Sequence, residues 1–435
     1  MKISVIGCGY LGAVHAAAMA DLGHTVVGID VDATKVAALS SGRAPFFEPG
    51  FDDLLATTTA TGRLTFTTDM ACATEADVHF IAVGTPQMPD SDAADLRFVH
   101  AAFASLLEVV KPGDLIVGKS TVPVGTAAGL AERVTASAPG VTLVWNPEFL
   151  REGFAVSDTI SPDRLVYGIP VGESGQRATQ ILNDIYARAL AEGTPVVVTD
   201  YATAELVKVA ANAFLATKIS FINAMAEIAE ATGADVTQLA DALGHDTRIG
   251  RRFLNAGVGF GGGCLPKDIR AFTARARELG RAESVRFLVE VDNINLRRRD
   301  RVVDLVREAV GNKPHARVAV LGLAFKPHSD DVRDSPALDV AAKLVRHGFT
   351  VVATDPRANT NASRMEPGIA FVDTPSDAAV DADVVVLMTE WPEFIAIDPR
   401  ELGVRVRSRT IIDGRNVLDP TRWRDAGWVY YGLGR

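Results

Sequence analysis

Gly7-x-Gly9-x-x-Gly12 directly follows the apolar run Ile3–Ile6, and Asp30 closes the next β-branched run, Thr25–Ile29. No other feature restricts the fold of this chain as tightly. The three glycines permit a tight strand-to-helix turn and let backbone approach a pyrophosphate, while the N-terminus of the helix they open favours negative charge. Asp30 stands where a carboxylate accepts hydrogen bonds from the adenosine ribose hydroxyls and repels a 2′-phosphate. NAD is therefore expected over NADP.

The pattern around that turn is a strand–helix alternation. Ile3–Ile6, Thr25–Ile29, Val78–Val83, Leu115–Val117 and Thr142–Trp145 are short apolar runs separated by Ala/Leu-rich stretches. Such runs indicate a parallel sheet covered on both faces. Small and polar groups follow each run: Gly84-Thr85-Pro86, Lys119-Ser120-Thr121, Asn146-Pro147-Glu148. Open α/β sheets bind ligands at those carboxyl ends. From about Tyr201 to Leu296 the chain is Ala-rich and mainly helical, broken by the glycine-dense Gly257–Gly263. A helix through Lys208 and Asn212 should run to Thr232 and stop at Gly233, and a second should cover Glu283–Val310. The α/β pattern then returns. Arg317–Gly322 resembles Lys2–Gly7, and Phe349–Asp355 resembles His24–Asp30. Glycine to aspartate is 23 positions in the first copy and 33 in the second, the extra length falling around Lys326–Ser335. Lacking the second and third glycines, the second copy is not expected to hold a pyrophosphate in the same manner. The fold class is α/β: two Rossmann-like parallel-sheet domains, 1–198 and 311–435, joined by a long-helix central domain, 199–310.

Composition narrows the partners. The chain has 435 residues, 48% of them hydrophobic, with 44 Lys plus Arg against 54 Asp plus Glu and a net charge of −10. That suits a globular protein of about three domains and is poorly suited to tracking a phosphate backbone. Three cysteines cannot build a disulfide framework and fit a reducing cytosol. No run approaches the ~20 uncharged apolar residues of a membrane span. The first twenty residues superficially resemble a signal peptide, but Gly7, Gly9 and Gly12 would break its helix. A cytoplasmic protein with no metal, nucleic-acid or membrane partner is expected.

Gly259-Phe-Gly-Gly-Gly-Cys264-Leu-Pro-Lys267-Asp268 carries the second chemical signal. Glycines before a cysteine let a substrate approach the sulfur, and Lys267 would favour the thiolate. Asp268, four residues on, shares a face with Cys264 if the stretch is helical. A buried cysteine packed as a small hydrophobe is the commoner arrangement. It suits Cys8 and Cys72, and it suits Cys264 badly, because that setting is glycine-rich and charged. Lys208 and Asn212 lie at i and i+4 and could donate hydrogen bonds to a developing alkoxide, although a solvated Glu205–Lys208 pair fits the same spacing. Glu148 and Glu152 could act as general base and as a cofactor or substrate contact, or Glu152 could simply favour a helix N-terminus. Oxidising an alcohol to an aldehyde needs a hydride acceptor and a base. Continuing to an acid is easier if a thiol adds to the aldehyde, gives up a second hydride and leaves a thioester for water. The fingerprint and the cysteine together point to two successive two-electron oxidations.

GCGYLG, VGTP, KSTVPVGT, NPEFLREG, ELVKVAANAFLATKISFIN, HDTRIGRRFLNAGVGFGGGCLPKD, LGLAFKP, DDVRDSP and DGRN occur in one order along nearly the whole chain. In this the chain resembles the UDP-glucose/GDP-mannose dehydrogenase family. The resemblance implies an enzyme that oxidises UDP-glucose to UDP-glucuronate with two NAD. Cys264 would be the nucleophile, Lys208 and Asn212 would stabilise the oxyanion, Asp268 with Thr121 would activate or position water, and Glu148 would be the base in thioester hydrolysis. Leu11, Asp30, Lys35, Thr85, Thr121, Glu152, Lys267 and Arg333 match the family's NAD contacts, alongside the glycines. Glu148, Phe149, Leu150, Arg151 and Glu152 would line the nucleotide-sugar site with Phe253, Leu254, Asn255, Ala256 and Gly257. Lys208, Asn212, Gly261, Phe325, Lys326 and Arg415 would join them, and Arg248 would reach in from the second subunit of a homodimer. Many UDP-glucose enzymes carry Ser and Phe on either side of the cysteine, where Gly263 and Leu265 stand here. Leucine at the second position also occurs in GDP-mannose dehydrogenases. GDP-mannose or a UDP-N-acetylhexosamine is the alternative substrate. A plain two-electron hydroxy-acid dehydrogenase would not need Cys264, and a non-catalytic nucleotide-sugar-binding protein is the reading from another class.

Overall fold

The computed structural model describes residues 1–311 and 313–435. By density of internal contacts the chain divides into two compact units. One comprises Met1–Ala211 with Arg277–Leu279, the other Asn212–Ala276 with Gly280–Arg435.

The first unit is built on eight strands: β1 (Lys2–Ile6), β2 (Thr25–Ile29), β3 (Leu64–Thr67), β4 (Val78–Ile81), β5 (Leu115–Gly118), β6 (Thr142–Trp145), β7 (Leu165–Gly168) and β8 (Val196–Thr199). Their order is β3-β2-β1-β4-β5-β6-β7-β8. The first six are parallel, in the 3-2-1-4-5-6 order of a dinucleotide-binding sheet, and β4 is buried at every residue. Sequence alternation marks five of these six, and β3 is not among the runs it picks out. The last two strands also depart from the expected all-parallel sheet. β7 touches β6 antiparallel at Trp145–Gly168 alone, and β8 then runs parallel to β7.

In the second unit, β9 (Arg317–Leu321), β10 (Thr350–Thr354), β11 (Ala370–Phe371), β12 (Val384–Leu387), β13 (Thr410–Asp413) and β14 (Val429–Gly432) repeat that order as β11-β10-β9-β12-β13-β14, all parallel. The two copies differ at the turn after their first strand. In the second, Asp355 closes β10 as Asp30 closes β2, but its carboxylate accepts from the backbone N–H groups of Leu323 and Ala324 at 2.7 and 3.0 Å and from Trp391 Nε1 at 3.1 Å. Leu323 and Ala324 are buried. The acid is consumed in closing its own turn, which accords with a copy that does not cradle a pyrophosphate. The extra length, 325–335, delays the next helix to Pro336–Arg346, where Ser335 caps the first turn.

Helix Tyr201–Thr232 ends at Gly233, as expected, with Gly233 at a φ of 76°. It is long and apolar enough to cross a membrane by length and composition. Yet its buried polar residues hold tertiary hydrogen bonds: Ser220 Oγ donates to the Val291 carbonyl at 2.7 Å, and Asn223 Oδ1 accepts from Gly257 N–H at 2.8 Å. Those bonds are what an interior helix makes. Helix Arg286–Val310 follows a short 3₁₀ turn at Ala282–Val285.

Candidate active site

The glycine turn has the geometry its spacing promised. Gly7 has a φ of 89°, and a Cβ on Gly12 would stand 1.8 Å from the Gly7 carbonyl oxygen, so neither position admits a side chain. A Cβ on Gly9 would meet nothing within 4 Å. Helix Tyr10–Asp21 therefore presents its N-terminus to open space, which is what a bound pyrophosphate requires. Asp30 is buried, accepting from Cys8 N–H at 2.8 Å and Asp32 N–H at 3.0 Å, with Lys35 Nζ at 3.1 Å. Burial, and next the charge of Asp30, push the Cys8 thiol up to about 12, so it is inert. Thr85 Oγ1 donates to the Thr121 carbonyl at 2.7 Å, joining the turns after β4 and β5. These residues fit NAD.

The loop after β6 is held from several sides. Glu148 Oε1 accepts from Phe149 and Leu150 N–H at 2.8 and 3.1 Å, and Glu148 Oε2 pairs with the buried Lys119 at 3.2 Å. The ring of Phe149 lies 3.9 Å from the Arg164 guanidinium carbon and 5.4 Å from Lys208 Nζ. Arg151 is bound to Asp158 at 2.6 Å. Buried Glu48 accepts from Gly153 and Ala155 N–H at 2.6 and 2.7 Å and from Tyr10 Oη, tying the far end of the loop that carries Glu152 to the fingerprint helix. Glu205 is not a surface partner of Lys208. It is 2% exposed and accepts from Gly125 and Ala127 N–H at 2.7 and 2.6 Å, at the start of helix Thr126–Ser137.

In the second unit the cysteine loop is packed rather than open. A Cβ at Gly259 would sit 2.2 Å from Asn295 Oδ1, at Gly261 2.3 Å from the Asp334 carbonyl, at Gly262 2.8 Å from the Phe325 ring and at Gly263 2.5 Å from the Arg333 guanidinium. Gly261, Gly262 and Gly263 thus serve close packing against the 325–334 loop, and Gly259 against helix Arg286–Val310, a reason the sequence reading did not give. Asn295 clamps Phe260, accepting from its N–H at 2.7 Å and donating to its carbonyl at 3.0 Å. Arg415 donates to the carbonyls of Met388 at 2.7 Å, Gly259 at 2.9 Å and Phe325 at 3.1 Å, stapling three loops.

Cys264 is exposed and immediately precedes helix Leu265–Glu278, its carbonyl accepting from Asp268 N–H at 2.9 Å. A helix N-terminus is where an anion is favoured, so the sulfur stands where a thiolate would be stabilised. The buried Asp268 accepts from Asn212 Nδ2 at 2.6 Å and pairs with Lys267 at 2.5 Å. Lys267 is thus ion-paired with Asp268, and Asn212, one turn along its helix from Lys208, is fixed beside the start of the cysteine helix. Cys72 is exposed, not buried as its Ala-rich setting suggested, because it lies on the short 3₁₀ turn Met70–Glu75. Arg333 pairs with Asp331 at 2.6 Å, and Lys326 Nζ lies 5.3 Å from the Phe325 ring. Leu254 and Ala256 point into a small apolar core, whereas Phe253 and Asn255 are exposed. Arg248 is exposed and paired with Asp246 at 2.6 Å. The sequence reading missed Glu48, Asn295 and Tyr186, and the link of Lys119 and Asn146 to Glu148, although these last three lay within motifs that it had singled out.

A dinucleotide sheet with an open glycine turn, together with an exposed cysteine at a helix N-terminus, defines an NAD-dependent dehydrogenase equipped with a thiol. Residues 1–190 match the NAD binding domain of the UDP-glucose/GDP-mannose dehydrogenase family, 202–297 its central domain and 319–420 its UDP binding domain. The chain is 42% identical to the UDP-glucose 6-dehydrogenase of Rhizobium meliloti (strain 1021), with all of both chains covered. It is 40% identical to the UDP-glucose 6-dehydrogenase TuaD of Bacillus subtilis (strain 168), covering all of this chain and 93% of that one. A UDP-glucose dehydrogenase structure from Pyrobaculum islandicum superposes with a TM-score of 0.90 at 38% identity, covering 100% and 97% of the two chains. The chain belongs to the UDP-glucose/GDP-mannose dehydrogenase family, and its cofactor is NAD.

Proposed function

We propose that the chain oxidises UDP-glucose to UDP-glucuronate, using two NAD and a covalent intermediate on Cys264. The observation that carries this reading is the exposed cysteine at the N-terminus of Leu265–Glu278, with Asn212, Lys267 and Asp268 joined beside it. The names of the two relatives above support the choice of sugar nucleotide.

NAD, when bound, accepts a hydride in each of the two oxidations. The first converts the C6 alcohol to an aldehyde, with Lys208 and Asn212 stabilising the charge on its oxygen. Cys264 Sγ then adds to the carbonyl carbon, and loss of the second hydride from that adduct leaves a thioester. Glu148 takes a proton from water as the water oxygen adds to the thioester carbon, and the C–S bond breaks to release the thiolate and the acid. Asp268 and Thr121 orient the water. Lys35, Thr85, Glu152, Lys267 and Arg333 contact the cofactor with the glycine turn, Leu11 and Asp30. Phe149–Glu152, Phe253–Gly257, Gly261, Phe325, Lys326 and Arg415 line the sugar-nucleotide site.

The division into 1–198, 199–310 and 311–435, a cytoplasmic location and a homodimer belong to the same reading. Phe214, Phe221 and Ile228 are exposed at seven-residue intervals on one face of the long helix, an apolar stripe that suits a second copy of this chain. Arg248 would cross that interface to the partner's substrate. Phe221→Asp should then convert a dimer to a monomer in analytical ultracentrifugation and lower kcat/KM; an unchanged dimer would contradict the interface. Leu265 leaves GDP-mannose and UDP-N-acetylhexosamines as the second substrate reading. UDP-glucose should exceed each of them at least about 100-fold in kcat/KM, the range that polar recognition of a sugar provides. Preference for one of the others would overturn the assignment of the sugar.

A further inference from the structure

Lys119 is 3% exposed, and an ammonium is costly to bury unless every proton finds a partner. Its three protons match three acceptors: Asn146 Oδ1 at 3.0 Å, Tyr186 Oη at 3.2 Å and Glu148 Oε2 at 3.2 Å. The acceptors are themselves fixed. Asn146 Nδ2 donates to the Val166 carbonyl at 3.0 Å, which sets the amide so that its oxygen faces Lys119. Tyr186 Oη donates to that same oxygen at 2.8 Å and keeps its lone pairs for Lys119. Burial, and next the charge of Glu148, push the Tyr186 phenol well up, so it stays a donor. The ammonium also lies near the Phe80 and Tyr186 rings, with centroids at 5.8 and 5.7 Å. Among the described residues, Glu148 is the only carboxylate paired with Lys119.

We propose that Lys119 is a positioning residue for Glu148, holding Oε2 from behind so that the carboxylate presents one fixed face to the water that hydrolyses the thioester. The inference rests on the reading of Glu148 as the base in that step. Glu148 is 14% exposed, against 3% for Lys119, so the carboxylate lies toward solvent and the ammonium toward the core. Its other oxygen is held by the Phe149 and Leu150 N–H groups. Two anchors at opposite oxygens stop the carboxylate from rotating. One lone pair on Oε2 remains to accept the proton of water.

The test is rapid-mixing NADH formation combined with intact-mass analysis of the quenched protein, on full-length Lys119→Met, Tyr186→Phe and Glu148→Gln with saturating NAD and UDP-glucose. Lys119→Met should release two NADH per active site in a burst and then turn over at least about 30-fold more slowly, with a UDP-glucuronyl thioester accumulating on Cys264. Tyr186→Phe should show the same adduct with a smaller loss, about 3- to 10-fold. Lys119→Met combined with Glu148→Gln should be no slower than Glu148→Gln alone, because both changes act on one step. If Lys119→Met does not fold, Tyr186→Phe decides the matter. Adduct in Glu148→Gln without adduct in the other variants would overturn the role of Lys119 and leave that of Glu148 standing. Full turnover of Glu148→Gln would overturn the reading on which the inference rests.

Discussion

A methyl group on Gly259 would have to occupy space held by Asn295, at a φ of 104° that L-residues avoid. Gly259→Ala should cost about 3 kcal/mol through strain and overpacking together, and the cost should appear as a lower thermal midpoint and lost activity. Asn295→Ala takes the partner from the buried N–H of Phe260 and leaves its carbonyl only the longer contact with Arg299 Nη2 at 3.5 Å, and should cost about 2 kcal/mol, read in urea unfolding. Cys264→Ser should lower kcat by at least about 10⁴-fold while NAD still binds, as seen by titration calorimetry. Cys264 was legible because glycines and charges around a cysteine are hard to reconcile with a core position. Cys72 was misread because a short apolar neighbourhood says nothing about which side of a 3₁₀ turn faces water. Lys119 was not legible as a buried ion: after a strand, a lone lysine looks like any solvated one until Asn146, Tyr186 and Glu148 are brought to it across the sheet.

At the scale of elements, Glu205 connects the start of one helix to the side of another. It accepts from the first N–H groups of Thr126–Ser137 while sitting on Tyr201–Thr232, and the macrodipole adds to those hydrogen bonds. Glu205→Ala should destabilise the protein by about 1–3 kcal/mol, and Glu205→Gln by less, since it keeps one acceptor. Equal thermal midpoints for the wild type and Glu205→Ala would contradict this role. The spacing of Glu205 and Lys208 suggested a surface pair because i, i+3 geometry is local, whereas the partners of Glu205 come from 80 residues away. The end of the same helix was legible for the opposite reason. Gly233 terminates it by its own backbone conformation, which needs no tertiary contact. The strands β3 and β8 stand at the two edges of the sheet and are partly exposed, so they lack the continuous burial that marks the equally short β4 and β5, and the reversal at β7 is set by a single pairing with β6.

For the whole molecule, pH acts through buried imidazoles. Burial lowers the affinity of His15, His24 and His79 for a proton below the ordinary 6.5. Both ring nitrogens of His15 are buried without a hydrogen-bond partner among the described residues. Unfolding releases each ring to take up a proton near 6.5, so their contribution is present above that pH and is lost as pH falls below it toward the folded-state values. Asp413, raised by burial, acts in the opposite sense, but it is one carboxyl against three rings. The thermal midpoint should fall between about pH 7.5 and about pH 5.5, and His15→Met should flatten part of that fall. A midpoint independent of pH over this range would contradict the account.

The central claim is a four-electron oxidation through Cys264, and it is tested most directly by NADH released per UDP-glucose consumed, with the sugar nucleotide limiting and NAD in excess. The account predicts two. One per sugar would mean that oxidation stops at the aldehyde, leaving no role for a thioester on Cys264, and would contradict it.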